Sequence, residues 1–271
     1  LTEKLELEKY KPLSSDELHL LGEILASSFR GRTLLGDPDF YKNPIGFLTS
    51  NEFVSKAVKA IDLKKATAKA PLEEKDVQKE SETTHYSVLD KDGNAVALTV
   101  TLNGSYGSGV VSEKFGIALN NEMDDFTTKP GVPNRYGLVQ GNGNIVEPGK
   151  RPLSSMSPTL VEKDGKIIMA LGAQGGPRII SSVFQILHRS LSSGFDMDLA
   201  IQAPRVHHQV LPNTLYADPN RLSPDVLENL RKRGHTVEES PVAKAYGVKK
   251  NAAGILEGAF DARGEGAGGG F

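Results

Sequence analysis

Thr83 stands where the text of the chain changes. Before it runs KKATAKAPLEEKDVQKESE, charged and without an aromatic residue; from it runs THYSVLD, in which Tyr86 and Val88 alternate with polar neighbours. A cut between Glu82 and Thr83 would leave Thr83 with a free α-amine. Such an amine titrates near 8 and can take the proton of its own residue's hydroxyl. The same Thr also reads as a β-favouring residue that opens a strand. Four other clusters have types and spacings that could do chemistry. LNNEMDDF brings Asn121, Glu122, Asp124 and Asp125 together, a set suited to an ammonium group or to a solvated turn. It lacks His-x-x-x-His or calcium-loop spacing, so a metal is not favoured. Ser154 and Ser155 lie between prolines in PLSSMSPT and could clamp a carboxylate, or form an ordinary turn. GAQGGPR puts Gly175 and Gly176 just before a helix, where exposed amides stabilise an anion or simply make a tight connection. It is not G-x-G-x-x-G, so a dinucleotide is not indicated. His207 and His208 beside Arg205 have no acidic partner at metal spacing and read as structural.

The elements that must position these residues are legible in outline. Ser14 with Glu17 makes a capping-box pattern, and Leu18, Leu21, Leu25 and Phe29 follow at helical spacing to Gly31. A second helix is expected over 51–61. Residues 62–82 read as an exposed, mobile polar segment. A hairpin turning at Asp92–Gly93 spans the text from Thr83 to Thr101. GVVS and GIALNN suggest a further strand pair, followed by a long Gly- and Pro-rich loop over 127–149. Another hairpin turns at Asp164–Gly165, and helices are expected over 178–193 and 223–233, the second with Ser223 as cap and Pro224 at its first position. A last hairpin is expected in GVKKNAAGILEGAFD. Hairpins covered by helices, without a regular β–α–β repeat, describe an α+β chain.

Bulk properties narrow the function classes. The chain has 271 residues and a formal net charge of −2, with no basic stripe, so nucleic acid is not an expected partner. It has no cysteine, which excludes disulfides and thiol catalysis. No apolar run is long enough to span a membrane. No signal peptide is evident, although the chain begins at Leu1 and that silence carries no weight.

Several longer motifs, in order, resemble the γ-glutamyltransferase (γ-glutamyltranspeptidase) family. They are LLGDPDF at 34–40, TTHYSVLDKDGNAVALTVTLN at 83–103, LNNEMDDF at 119–126, KPGVPNRYGLV at 129–139, KRPLSSMSPTLV at 150–161, GGPRII at 175–180 and APRVHHQ at 203–209. The resemblance implies an N-terminal-nucleophile hydrolase, a four-layer αββα sandwich left incomplete without the rest of a large subunit. It implies self-cleavage between Glu82 and Thr83, with 1–82 the end of the large subunit and 83–271 the small, catalytic one. Thr83 resembles the nucleophile and Thr101 the Thr that supports it. Asn103, Glu122 and Asp125 resemble the groups that hold the α-amine and α-carboxylate of the glutamyl moiety. Ser154 and Ser155 resemble further substrate binders, Gly175 and Gly176 the oxyanion donors, and Tyr136 a loop Tyr that screens the site as a lid. The family's large-subunit Arg has no counterpart in this chain, and GAQGGPR stands where G-S-P-G-G-S-R is commoner.

The implied activity is γ-glutamyl transfer from glutathione or related γ-glutamyl amides to amino acids, peptides or water, through a γ-glutamyl-Thr ester. No cofactor and no metal are expected. Expected partners are the remainder of the large subunit, γ-glutamyl compounds and acceptor amines; the implied setting is periplasmic or extracellular. Two alternatives stay open: a cephalosporin- or glutaryl-type acylase, and an inactive, uncleaved homologue acting as a binding module.

Overall fold

The computed structural model describes residues 1–67 and 83–270. The polar segment beyond Thr67, with Glu82 at its end, lies outside the described residues. Helices run α1 (Ser15–Arg32), α2 (Ile45–Leu48), α3 (Asn51–Ala60), α4 (Arg178–Ser192), α5 (Met197–Gln202) and α6 (Pro224–Lys232). Strands run β1 (Thr83–Leu89), β2 (Ala95–Thr101), β3 (Thr159–Lys163), β4 (Lys166–Gln174), β5 (Val206–His207), β6 (Leu215–Ala217), β7 (Val237–Glu239), β8 (Lys244–Lys250) and β9 (Leu256–Phe260). They fall into two compact units that interleave along the chain.

The first unit takes Leu1–Gln78, Glu122–Ser154 and Val206–Pro241. Its centre is α1, where the Ser14 hydroxyl accepts from the Glu17 amide at 3.3 Å and Glu17 returns to the Leu13 amide at 2.5 Å. Leu18, Leu21, Leu25 and Phe29 are all buried, as their spacing predicts. Gly31 does not end the helix: it lies inside it, and a Cβ there would meet Leu48 and Phe53 at 3.2 and 3.3 Å. Helix α1 packs on α6 and β5. Strands β5, β6 and β7 form a small sheet in which β6 and β7 are parallel, so β6–α6–β7 is a short crossover unit that the sequence does not announce. Ser223 precedes α6 as expected but does not cap it; its hydroxyl is bonded to Asp225.

The second unit takes Lys79–Asn121, Ser155–Arg205 and Val242–Phe271. Hairpin β1–β2 pairs antiparallel from Thr83↔Thr101 to Leu89↔Ala95 and packs on β4 and β8 of a four-stranded antiparallel sheet, β3–β4–β8–β9. Helices α4 and α5 pack on that sheet, and their Ile179, Val183, Ile186 and Ile201 close a core with Met169 and Leu171. These are the β, β and α layers of the N-terminal-nucleophile sandwich. On β1–β2, Tyr86, Val88, Val96, Leu98 and Val100 stay exposed. The expectation that 83–126 is strand throughout fails after Thr101. Residues 110–119 make only a bridge, Val111↔Ala118, because Gly107, Gly109 and Gly116 bend the chain at φ of 55, 72 and 65°. The expectation that the helix near 14–30 flanks the stacked sheets also gives way, since α1 packs within the first unit.

Candidate active site

In the second unit the site begins at the first residue of β1. Thr83 is buried, and its register with Thr101 brings the two Oγ1 atoms to 3.0 Å. Thr101 Oγ1 also accepts from the Asn103 amide at 2.9 Å, which leaves its proton available to Thr83. Asn103 takes a left-handed backbone at φ 70°, and its Nδ2 donates to the Asn121 carbonyl at 3.2 Å. Asn121 Oδ1 in turn accepts from the Gly104 amide at 2.9 Å. The hairpin end is thereby tied to the segment that leads to the acidic cluster.

Below Thr83 on the same strand face lies His85, which the sequence reading did not single out. Its nitrogens bond Thr99 Oγ1 at 2.8 Å and Ser87 Oγ at 2.9 Å, and its ring occupies the space where Gly172 of β4 has no side chain. Burial brings its pKa down to about 4. A histidine depressed in the fold contributes stability that is whole above its ordinary value and is lost as pH falls from about 6.5 to about 4. A fall in the urea midpoint over that window is therefore expected, worth up to about 3 kcal/mol. His85→Gln should flatten it, and an unchanged slope in that variant would assign the loss elsewhere.

Gly175 and Gly176 form the turn from β4 into α4, at φ 140° and 57°, conformations that side-chain-bearing residues rarely adopt. A Cβ on Gly175 would lie 2.9 Å from the Ala243 Cα. Ser155 is half-buried, and its carbonyl accepts from Ser157. A cavity of about 520 Å³ opens between Thr84, His85, Gln174, Lys244, Tyr246 and the 264–267 tail. None of the expected site residues lines it, so it is not assigned to substrate.

The first unit carries the other expected substrate groups. Glu122 and Asp125 lie on one 3-10 turn, Glu122–Asp125, and share a side-chain hydrogen bond. Burial raises both carboxyls above their ordinary range; for Asp125 the Glu122 bond and charge add to it and the Arg32 guanidinium opposes it. One of the two is therefore a proton donor to the other. Arg32 at the end of α1 donates to Gln140 Oε1 at 3.1 Å and to the Leu153 and Ser154 carbonyls at 3.0 and 3.3 Å. Gln140 and Asn144 donate to the Asp125 carbonyl at 2.6 and 2.7 Å. The buried Asp37 of LLGDPDF holds Arg151 through its amide and guanidinium, which drives the Asp37 carboxyl far down. These residues fix the acidic turn and the 151–154 segment, and sequence spacing alone had no means of finding them. Tyr136, expected as a lid, is buried, and its carbonyl accepts from Gln209 at 2.6 Å. His207 and His208 are buried and bond Gln209 and the Val210 amide, in keeping with structural roles.

Three comparisons bear on this arrangement. The sequence profile of the family described as Gamma-glutamyltranspeptidase matches residues 1–271. The glutathione hydrolase proenzyme of Escherichia coli (strain K12) is 42% identical over 267 residues, covering 97% of this chain and 46% of that protein. This chain thus spans about half the length of the curated relatives it matches. The solved structure of a gamma-glutamyltranspeptidase from Pseudomonas nitroreducens, complexed with L-DON, is 45% identical with a TM-score of 0.66, over 69% of this chain and 99% of that one. A cephalosporin acylase from Bacillus halodurans, at 22% identity and TM-score 0.74 over 92% of this chain and 44% of that one, shares the fold.

Proposed function

The chain belongs to the gamma-glutamyltranspeptidase family, and from that premise we propose that it carries the catalytic threonine of an enzyme cleaving γ-glutamyl amides. The observation that carries the reading is the Thr83–Thr101 hydroxyl pair at the first residue of β1. The Thr83 hydroxyl attacks the γ-amide carbon and its proton passes to the Thr83 α-amine freed by cleavage after Glu82. The tetrahedral oxyanion takes hydrogen bonds from the Gly175 and Gly176 amides. The amine leaves with the proton (cysteinylglycine, if the donor is glutathione), and the γ-glutamyl-Thr ester passes to water or to an amino acid or peptide. Thr101 holds and polarises the Thr83 hydroxyl. Residues 1–82 and 83–271 are then the end of a large subunit and the whole small subunit. That boundary is covalent and need not follow the two spatial units.

Substrate identity rests on the acidic turn. Asn103, Glu122 and Asp125 take the α-amine and α-carboxylate of the glutamyl group, with Ser154 and Ser155 as further binders. An acyl group without the amine leaves two half-buried carboxyls to repel each other, which disfavours a glutaryl-type acylase. Tyr136 and its loop are proposed to wall the site as packed structure. The remainder of the large subunit is proposed to cover the exposed apolar face of β1–β2, and the setting to be periplasmic or extracellular.

A γ-glutamyl anilide should be turned over at least about 30-fold faster than a glutaryl anilide in kcat/KM, the equivalent of about 2 kcal/mol for one desolvated charge pair. Glu122→Gln and Asp125→Asn should erase that preference. Because raised carboxyls cost stability as pH rises through their folded values, Asp125→Asn should leave the urea midpoint at pH 8 unchanged or higher. Equal turnover of the two anilides by the unmodified enzyme would sink the γ-glutamyl assignment.

A further inference from the structure

A second cluster of chemistry-bearing side chains lies apart from every residue assigned above. His19 and Glu23 are four residues apart, on one face of α1, and His235 follows α6. All three are buried, and one ligand-type atom from each lies within 4.8 Å of the other two. His19 Nδ1 and His235 Nε2 are 2.7 Å apart, and the rings meet at 63° rather than stacking. Gly22 leaves room beside the His235 ring: a Cβ there would come within 3.7 Å of its Cε1.

We propose that His19, Glu23 and His235 form a zinc-binding site. The surrounding bonds orient these groups as ligands. His19 Nε2 lies 2.8 Å from the Asp62 carbonyl, which can only accept, so the proton sits on Nε2 and the lone pair of Nδ1 faces His235. A second ring nitrogen bonded to a backbone carbonyl is the usual support of a metal-bound imidazole. Glu23 Oε1 accepts from the Thr67 amide at 3.2 Å, which holds its carboxylate in place. Without metal, His235 Nε2–H donates to His19 Nδ1. On binding, that proton moves to His235 Nδ1, and both imidazoles stay neutral. Two nitrogens at about 2.05 Å from a tetrahedral zinc stand about 3.3 Å apart, so the rings need open by only about 0.6 Å. Two imidazoles and a carboxylate suit zinc, and a water completes four ligands. Both supporting bonds come from residues 62–67, the stretch that leads toward Thr83, so zinc would fasten that stretch to α1.

The test uses the complete gene product, stripped with chelator and then dialysed against micromolar zinc. One equivalent of zinc per chain should be retained, and saturating zinc should raise the thermal midpoint by about 5 °C or more. Cobalt in place of zinc should give the visible absorption of a tetrahedral site, a readout that needs no variant. Glu23→Gln and His235→Gln should lose the metal, whereas His188→Gln on α4 should keep it. The proposal is overturned if the unmodified protein retains no zinc and shows no cobalt spectrum, or if Glu23→Gln retains as much zinc as the unmodified protein.

Discussion

Thr83→Ala in the complete gene product is expected to abolish both chain cleavage after Glu82 and turnover of γ-glutamyl amides. The loss in kcat should be on the order of 10⁴ or more, the scale on which removing a covalent nucleophile acts. The two losses share a cause. The hydroxyl that accepts the acyl group of the preceding residue during maturation is the one that later accepts the γ-glutamyl group. Thr83→Ser keeps the hydroxyl and the bond to Thr101 but loses the methyl that restricts its rotamers. It should therefore retain part of each activity. Gel mobility reports cleavage and anilide release reports turnover, so the two are read separately. Thr83→Ala protein that still splits at this bond, or still turns over substrate, would remove Thr83 from both roles.

Gly175→Ala should lower kcat by about 10²- to 10³-fold while leaving KM little changed, the pattern of a lost oxyanion donor. The geometry makes this more than the addition of a methyl. At φ 140° the residue sits where an L side chain is strained, and its Cβ would press to 2.9 Å on the Ala243 Cα. The backbone must turn away from that contact, and the amide of the turn goes with it. An unchanged kcat would show that these amides do not face the reacting oxygen. Ala243→Gly relieves the Cβ contact but leaves the φ strain, so adding it to Gly175→Ala should restore only part of the loss.

The contrast between these sites and the rest of the chain shows what a sequence can disclose. The hairpins at Asp92–Gly93 and Asp164–Gly165 follow from local turn chemistry and alternation, and they form as expected. The cap at Ser14 is local in the same sense. Strands expected in 110–121 do not form, although Val110, Val111 and Ile117 have the right character. They remain exposed, and the glycines between them bend the chain. Strands β5, β6 and β7 are two or three residues long, too short for any period to register. The bonds that hold the acidic turn join Arg32 to Gln140 and Gln140 to Asp125, and only the fold brings such distant residues together. His19 and His235 meet across 216 positions for the same reason. His85 stood within a quoted motif; its signal was its place two residues after Thr83, on the same face of an alternating strand.

The central claim is that Thr83 becomes an N-terminal nucleophile, and N-terminal sequencing with intact-mass measurement of the purified, active, complete gene product tests it most directly. The account predicts two polypeptides, one beginning Thr83-Thr84-His85 with the mass of residues 83 to the end of the chain. An active protein of undivided mass, or one divided at another bond, would contradict it.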